Sequence, residues 1–158
     1  FPAGFRLAAI LLVASALAGC GLLSSGLLAV GGPVSVSSLE AGEAARVISA
    51  YRRSKGLGAV TVDSSLNEAA AEQARAIAQA GRLSHGDFAS RMARYDVAAA
   101  SENLAMGSST LAGTMEQWRR SRPHDANLLK EGMTRIGLAR ARTEGRGRND
   151  YWALVLAR

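Results

Sequence analysis

The stretch MTRIGLARARTEGRGRNDYWALVLAR, Met133 to Arg158, decides the fold class. Ile136 and Leu138 stand at spacing two, the repeat of a strand with one apolar face. Tyr151, Trp152, Leu154, Val155 and Leu156 carry the same strand character. Between them TEGRGRN is a glycine-bearing turn, so the segment reads as a β-hairpin. What precedes it has a different period. Ala44, Val47, Ile48 and Tyr51 follow the i, i+3, i+4, i+7 helical pattern, and Gly56 can stop that helix in a left-handed conformation. Val60 and Val62 alternate around Thr61 in a short extended piece. SSLNEAAAEQARAIAQAG then predicts a second helix, with Ser65 and Glu68 spaced as a capping box. Leu66, Ala70, Ala74 and Ile77 share its apolar face, and Gly81 ends it. Helices first and antiparallel strands last indicate an α+β domain, with helices packed on a small sheet.

The middle of the chain is less regular. HGDFASRMARY is compatible with one short helix, and AAASENLAMGSS reads as a loop with some extended backbone. Thr110 can cap a further helix whose buried face holds Leu111, Met115 and Trp118. Pro123 interrupts the chain, since the residue before a proline disfavours helix. A brief helix from His124 to about Lys130 follows, with Asp125 and Asn127 read as capping residues.

A net charge of +6 favours acidic partners, and the first 30 residues narrow the choice. Arg6 precedes an uncharged run from Leu7 to Cys20, the layout of a secretory signal. Leu17-Ala18-Gly19-Cys20 resembles a bacterial lipobox, in which the cysteine is lipidated; Cys20 is the single cysteine, so no internal disulfide can form. Two alternatives stay open: cleavage after Ala14-Ser15-Ala16, and an uncleaved anchor from Leu7 to Val30. All three place the domain outside the cytoplasm. Anionic lipid or acidic envelope polymer is then the expected partner, not nucleic acid. Residues 1–20 read as signal peptide, the Gly- and Ser-rich residues 21–37 as a tether, and 38–158 as the folded domain.

Three segments can carry chemistry: His85 in LSHGDF, Glu102 in SENLAMG and His124 in RPHDANLL. A glutamate in an apolar setting needs a partner, and histidine can be that partner, a proton carrier or a metal ligand. Two histidines 39 positions apart do not form a sequence-level zinc signature, which has close spacing. On the residues alone, each histidine reads first as a hydrogen-bonded structural residue rather than a ligand, and Glu102 reads equally well as a solvated loop charge. Trp118 reads as core, and Arg119, Arg120 and Arg122 as a solvated face.

The ordered set SHGDF, SENLAMG, EQWRRSRPHDANLL, TRIGLARAR and DYWALVLAR resembles the CAP superfamily, which includes cysteine-rich secretory proteins, antigen 5 and pathogenesis-related proteins. The similarity covers about residues 40–158 and is greatest to the compact bacterial branch. It implies a three-layer α-β-α sandwich with a small antiparallel central sheet. It also implies a cavity lined by two histidines and two glutamates. By motif, His85, Glu102 and His124 take three of those places. The fourth, three residues after the helix tryptophan, is Ser121, while Glu116 lies two residues before Trp118 and points elsewhere. The resemblance further implies a divalent ion such as zinc, here on His85 and His124, with weak binding because one acidic partner is missing. The expected function is ligand or partner binding without turnover. The alternative is a metal-assisted hydrolase with His85 and His124 as ligands and Glu102 as base.

Overall fold

The computed structural model describes residues 33–145 and 147–158. The expected signal peptide, Cys20 and residues 21–32 of the expected tether lie outside these residues. The elements run β1 (Val34–Ser37), α1 (Ala41–Ser54), β2 (Thr61–Val62), α2 (Ser64–Ala80), α3 (Phe88–Arg94), β3 (Ala100–Met106), α4 (Leu111–Arg120), α5 (Arg122–Leu128), β4 (Arg135–Thr143) and β5 (Asp150–Ala157).

The hairpin forms as its pattern predicts, with Leu138 opposite Leu154 and Ala139 opposite Ala153. It is the centre of the sheet. The strand order is β1-β4-β5-β3, antiparallel throughout, and β2 adds a two-residue parallel pairing to β4. Every residue of β5 is buried because helices cover both faces. Period two then sorts the side chains into layers. Ile136, Leu138, Trp152, Leu154 and Leu156 pack against α1, α4 and α5, with Ile48, Met115, Trp118 and Leu128. Ala139, Ala141, Ala153, Val155 and Ala157 face α2 and α3, with Leu66, Ala70, Ala74, Ile77 and Met92. This is the α-β-α sandwich that the resemblance implies.

The second layer sits close because its sheet side is lined with small residues. Gly137 is the tightest point: a Cβ there would stand 2.0 Å from the Leu66 carbonyl carbon and 2.4 Å from the Asn67 nitrogen.

Five local expectations need correction. Val34–Ser37, expected in the tether, pair with β4 and so belong to the folded domain. Helix α2 is capped by Asp63, not by a Ser65/Glu68 box: the Leu66 N–H donates to Asp63 Oδ1 at 3.1 Å. Arg135 of the neighbouring strand holds the other Asp63 oxygen at 2.7 Å, a partner invisible to local pattern. Helix α5 begins at Arg122, with Pro123 in its first turn, where a missing N–H costs nothing. SENLAM is a strand rather than a loop. Its Ser-Glu-Asn run hides the apolar alternation, and pairing with β5 supplies the stability that its own pattern does not. Asp125 and Asn127 are not caps either, as described below.

Strand β3 has a free edge, where backbone groups need partners. Side chains from the helices provide them. The Trp118 indole N–H donates to the Leu104 carbonyl at 3.1 Å, and Asn127 Nδ2 donates to the Glu102 carbonyl at 3.1 Å.

Arg52, in α1, is 1% exposed and ties the first layer together. It donates to the carbonyls of Gly58, Leu128, Lys130 and Met133 at 2.8–3.0 Å. Arg52→Met fills similar volume but orphans these acceptors, and we expect a loss of about 2–3 kcal/mol, since orphaned buried acceptors cost roughly 1–3 kcal/mol each and some recover water. Urea unfolding monitored by tryptophan fluorescence measures it.

Candidate functional site

The site is built on β3. Alternation along the strand turns Glu102 toward the α2 and α3 layer and Asn103 toward α5. Glu102 is inward, with its side chain 1% exposed, and both its oxygens are engaged. Oε1 lies 2.7 Å from His85 Nδ1, and Oε2 accepts from Arg91 Nη2. His85 comes from the loop between α2 and α3, and its side chain is 56% exposed. A carboxylate only accepts, so an ionised Glu102 calls for the proton on His85 Nδ1.

Arg91, in α3, is buried. Its Nη1 donates to Gln73 Oε1 at 2.6 Å and to the His85 carbonyl at 3.3 Å, and Gln73 donates in turn to the Ser84 carbonyl. The Phe88 ring lies 5.4 Å from the guanidinium carbon. Burial pushes the Glu102 carboxyl upward, while His85 and Arg91 pull it back.

His124 enters from the opposite layer. It is half-buried on α5, and its carbonyl accepts from Asn103 Nδ2 at 2.9 Å. Asn127 Nδ2 donates to Asn103 Oδ1 at 2.9 Å as well as to the Glu102 carbonyl, so it pins the strand that carries Glu102. Asp125 accepts from the Tyr51 hydroxyl at 2.8 Å and so ties α5 to α1. Ser121 precedes α5 as its N-cap, with no side-chain capping bond. Glu116 does point elsewhere, pairing with Arg120 on the exposed face of α4.

Burial, and then Coulombic repulsion from His85 when that ring is protonated, push the His124 ring below the usual 6.5. The two histidines are therefore electrostatic neighbours. The folded protein takes up this proton at lower pH than the unfolded chain does, so the unfolded state is favoured by acid. Stability is full above 6.5 and falls as the pH drops through the lower folded value. Replacing His124 with Gln is expected to flatten this part of a stability profile measured between pH 7.5 and 5. An unchanged slope would mean that another group is responsible.

The donor set does not fit a resident divalent ion. Glu102 has both oxygens committed to protein partners, and the Arg91 guanidinium beside it offsets its charge. Among the described residues, no group of three or more His, Cys, Asp or Glu side chains is arranged to hold a metal. Only His85 and His124 would be left to bind one, against the three protein ligands usual for catalytic zinc.

The sequence profile of the CAP family, described as the cysteine-rich secretory protein family, matches residues 45–156. The chain belongs to the CAP family. Solved structures share the fold. An outer surface protein of Borrelia burgdorferi superposes with a TM-score of 0.68 at 21% identity, covering 80% of this chain and 98% of that one. An extracellular SCP-domain protein of Bacillus anthracis gives 0.63 at 20%, covering 73% and 39%. A cysteine-rich secretory protein of Staphylococcus aureus gives 0.59 at 16%, covering 73% and 36%. No curated protein matches the sequence closely enough to count as a relative. Among the described residues of this CAP domain, no helix is long and apolar enough to cross a membrane.

Arg91, Gln73, Asn103 and Asn127 were not singled out for the site by sequence reasoning. Arg91 had one available signal: an arginine one residue before Met92 on the inner side of a short helix. A buried cation there requires a buried anion.

Proposed function

We propose that this protein is an extracytoplasmic CAP-domain protein, lipid-anchored through Cys20, that holds a ligand or envelope partner at the His85, Glu102 and His124 site without turning it over. The observation that carries this reading is the state of Glu102. Its carboxylate is turned inward and fully committed to His85 and Arg91, which suits a rigid binding wall better than a base reaching for substrate. The cationic balance supports an anionic lipid or acidic wall polymer as the partner.

The test is retention of anionic vesicles or purified wall polymer by the full-length protein. Saturable retention that drops at least tenfold in His85→Ala/His124→Ala supports the proposal. Retention of neither, or chelator-sensitive turnover of peptide or ester substrates that Glu102→Gln abolishes, overturns it. For the anchor, Cys20→Ala is expected to move the protein from the membrane fraction to the soluble fraction.

A further inference from the structure

Arg91 has a position that a simple crosslink between α3 and β3 does not explain. It grips His85 twice, directly through the backbone carbonyl at 3.3 Å and indirectly through Glu102. Its own placement is set by Gln73 at 2.6 Å and by the Phe88 ring. Gln73 also holds the Ser84 carbonyl, so two residues from two helices fix both peptides that flank the His85 α-carbon. Without them, this loop would have little to order it, since residues 81–87 are all exposed. The Arg91 Nε, meanwhile, is buried with no partner. A purely structural arginine gains nothing from such an orphaned donor, which costs roughly 1–3 kcal/mol.

We infer that Arg91 is the positioning residue of the site: by occupying Glu102 Oε2 and the His85 carbonyl, it leaves Glu102 Oε1 as the acceptor that fixes His85 with Nδ1 protonated and Nε2 bare. The ring then offers solvent a single, oriented lone pair. A ligand that donates a hydrogen bond, such as a hydroxyl or amide, matches that presentation. This rests on the binding reading only in treating His85 as a residue that faces ligand.

The experiment is long-range nitrogen–proton NMR of the two histidine side chains in the full-length protein, with no ligand added. Such spectra separate the two neutral tautomers directly. The wild type is expected to hold His85 in the Nδ1–H form. Arg91→Gln is expected to release a mixture of tautomers and Arg91→Lys to retain most of the native one, with His124 unchanged in both. If Arg91→Gln does not fold, Gln73→Ala loosens Arg91 without removing it and is expected to shift His85 in the same direction. A wild type dominated by the Nε2–H form overturns the inference, as does an Arg91→Gln or Gln73→Ala protein that folds and keeps the wild-type tautomer. Because no ligand is involved, a protein that fails to retain vesicles or polymer leaves this result standing, and the two failures are distinguishable.

Discussion

Gly137→Ala is expected to cost at least about 3 kcal/mol, the upper range for overpacking a well-packed core, because nothing flexible stands in the way of the new methyl group. It would lie 2.0 Å from the Leu66 carbonyl carbon and 2.1 Å from its oxygen. Backbone cannot rotate aside as a side chain can. Relief requires that α2 lift off β4, and α2 carries much of the second apolar layer through Leu66, Ala70, Ala74 and Ile77. The same shift would break the bond from the Leu138 N–H to Asn67 Oδ1, 3.0 Å long. Chemical denaturation should show a much lower midpoint, together with a less cooperative transition. A loss below about 1 kcal/mol, within the range of a tolerated core swap, would mean that the two elements are farther apart in solution.

Glu102→Ala is expected to cost about 3–5 kcal/mol, as does removing one member of a buried ion pair generally. The Arg91 side chain is 5% exposed, and Glu102 is its sole carboxylate partner within ion-pair distance among the described residues. Truncation strands the guanidinium in an apolar layer and also frees His85. The double variant Arg91→Leu/Glu102→Leu should recover most of the loss, because two desolvated charges leave together. Urea unfolding of the three proteins measures it. If the single variant is no less stable than the double, the pair is not buried in solution. Vesicle or polymer retention should fall in the single and double variants alike, which separates stability from function.

The helices were legible where one apolar stripe met a local stop. Thr110 does cap α4, its hydroxyl accepting from the Gly113 N–H at 3.2 Å. Gly81 does end α2 in the left-handed region at φ 65°. Local reading failed where the deciding partner came from elsewhere in the chain. Asp63 rather than Ser65 caps α2, with Arg135 from β4 holding its other oxygen. Asn127 looked like a capping residue, yet its amide serves the edge of β3. Val34–Ser37 looked like tether because Val and Ser alternate in any extended segment, and only β4 turns them into a strand.

The sequence by itself determined the α+β class, the hairpin at the sheet centre and the candidacy of His85, Glu102 and His124. These follow from short-range period and from motif order, which survive in one dimension. The tertiary structure alone decided what Glu102 does. Which face of β3 it takes depends on register with β5, and its partners lie 11 and 17 positions away on a helix and a loop. A buried charge is stable only with its counterion, and no local pattern records where folding puts that counterion. Arg91 therefore turned a candidate base into a braced, inward carboxylate. The physical reason is desolvation, which acts on position in space and not on position in the chain.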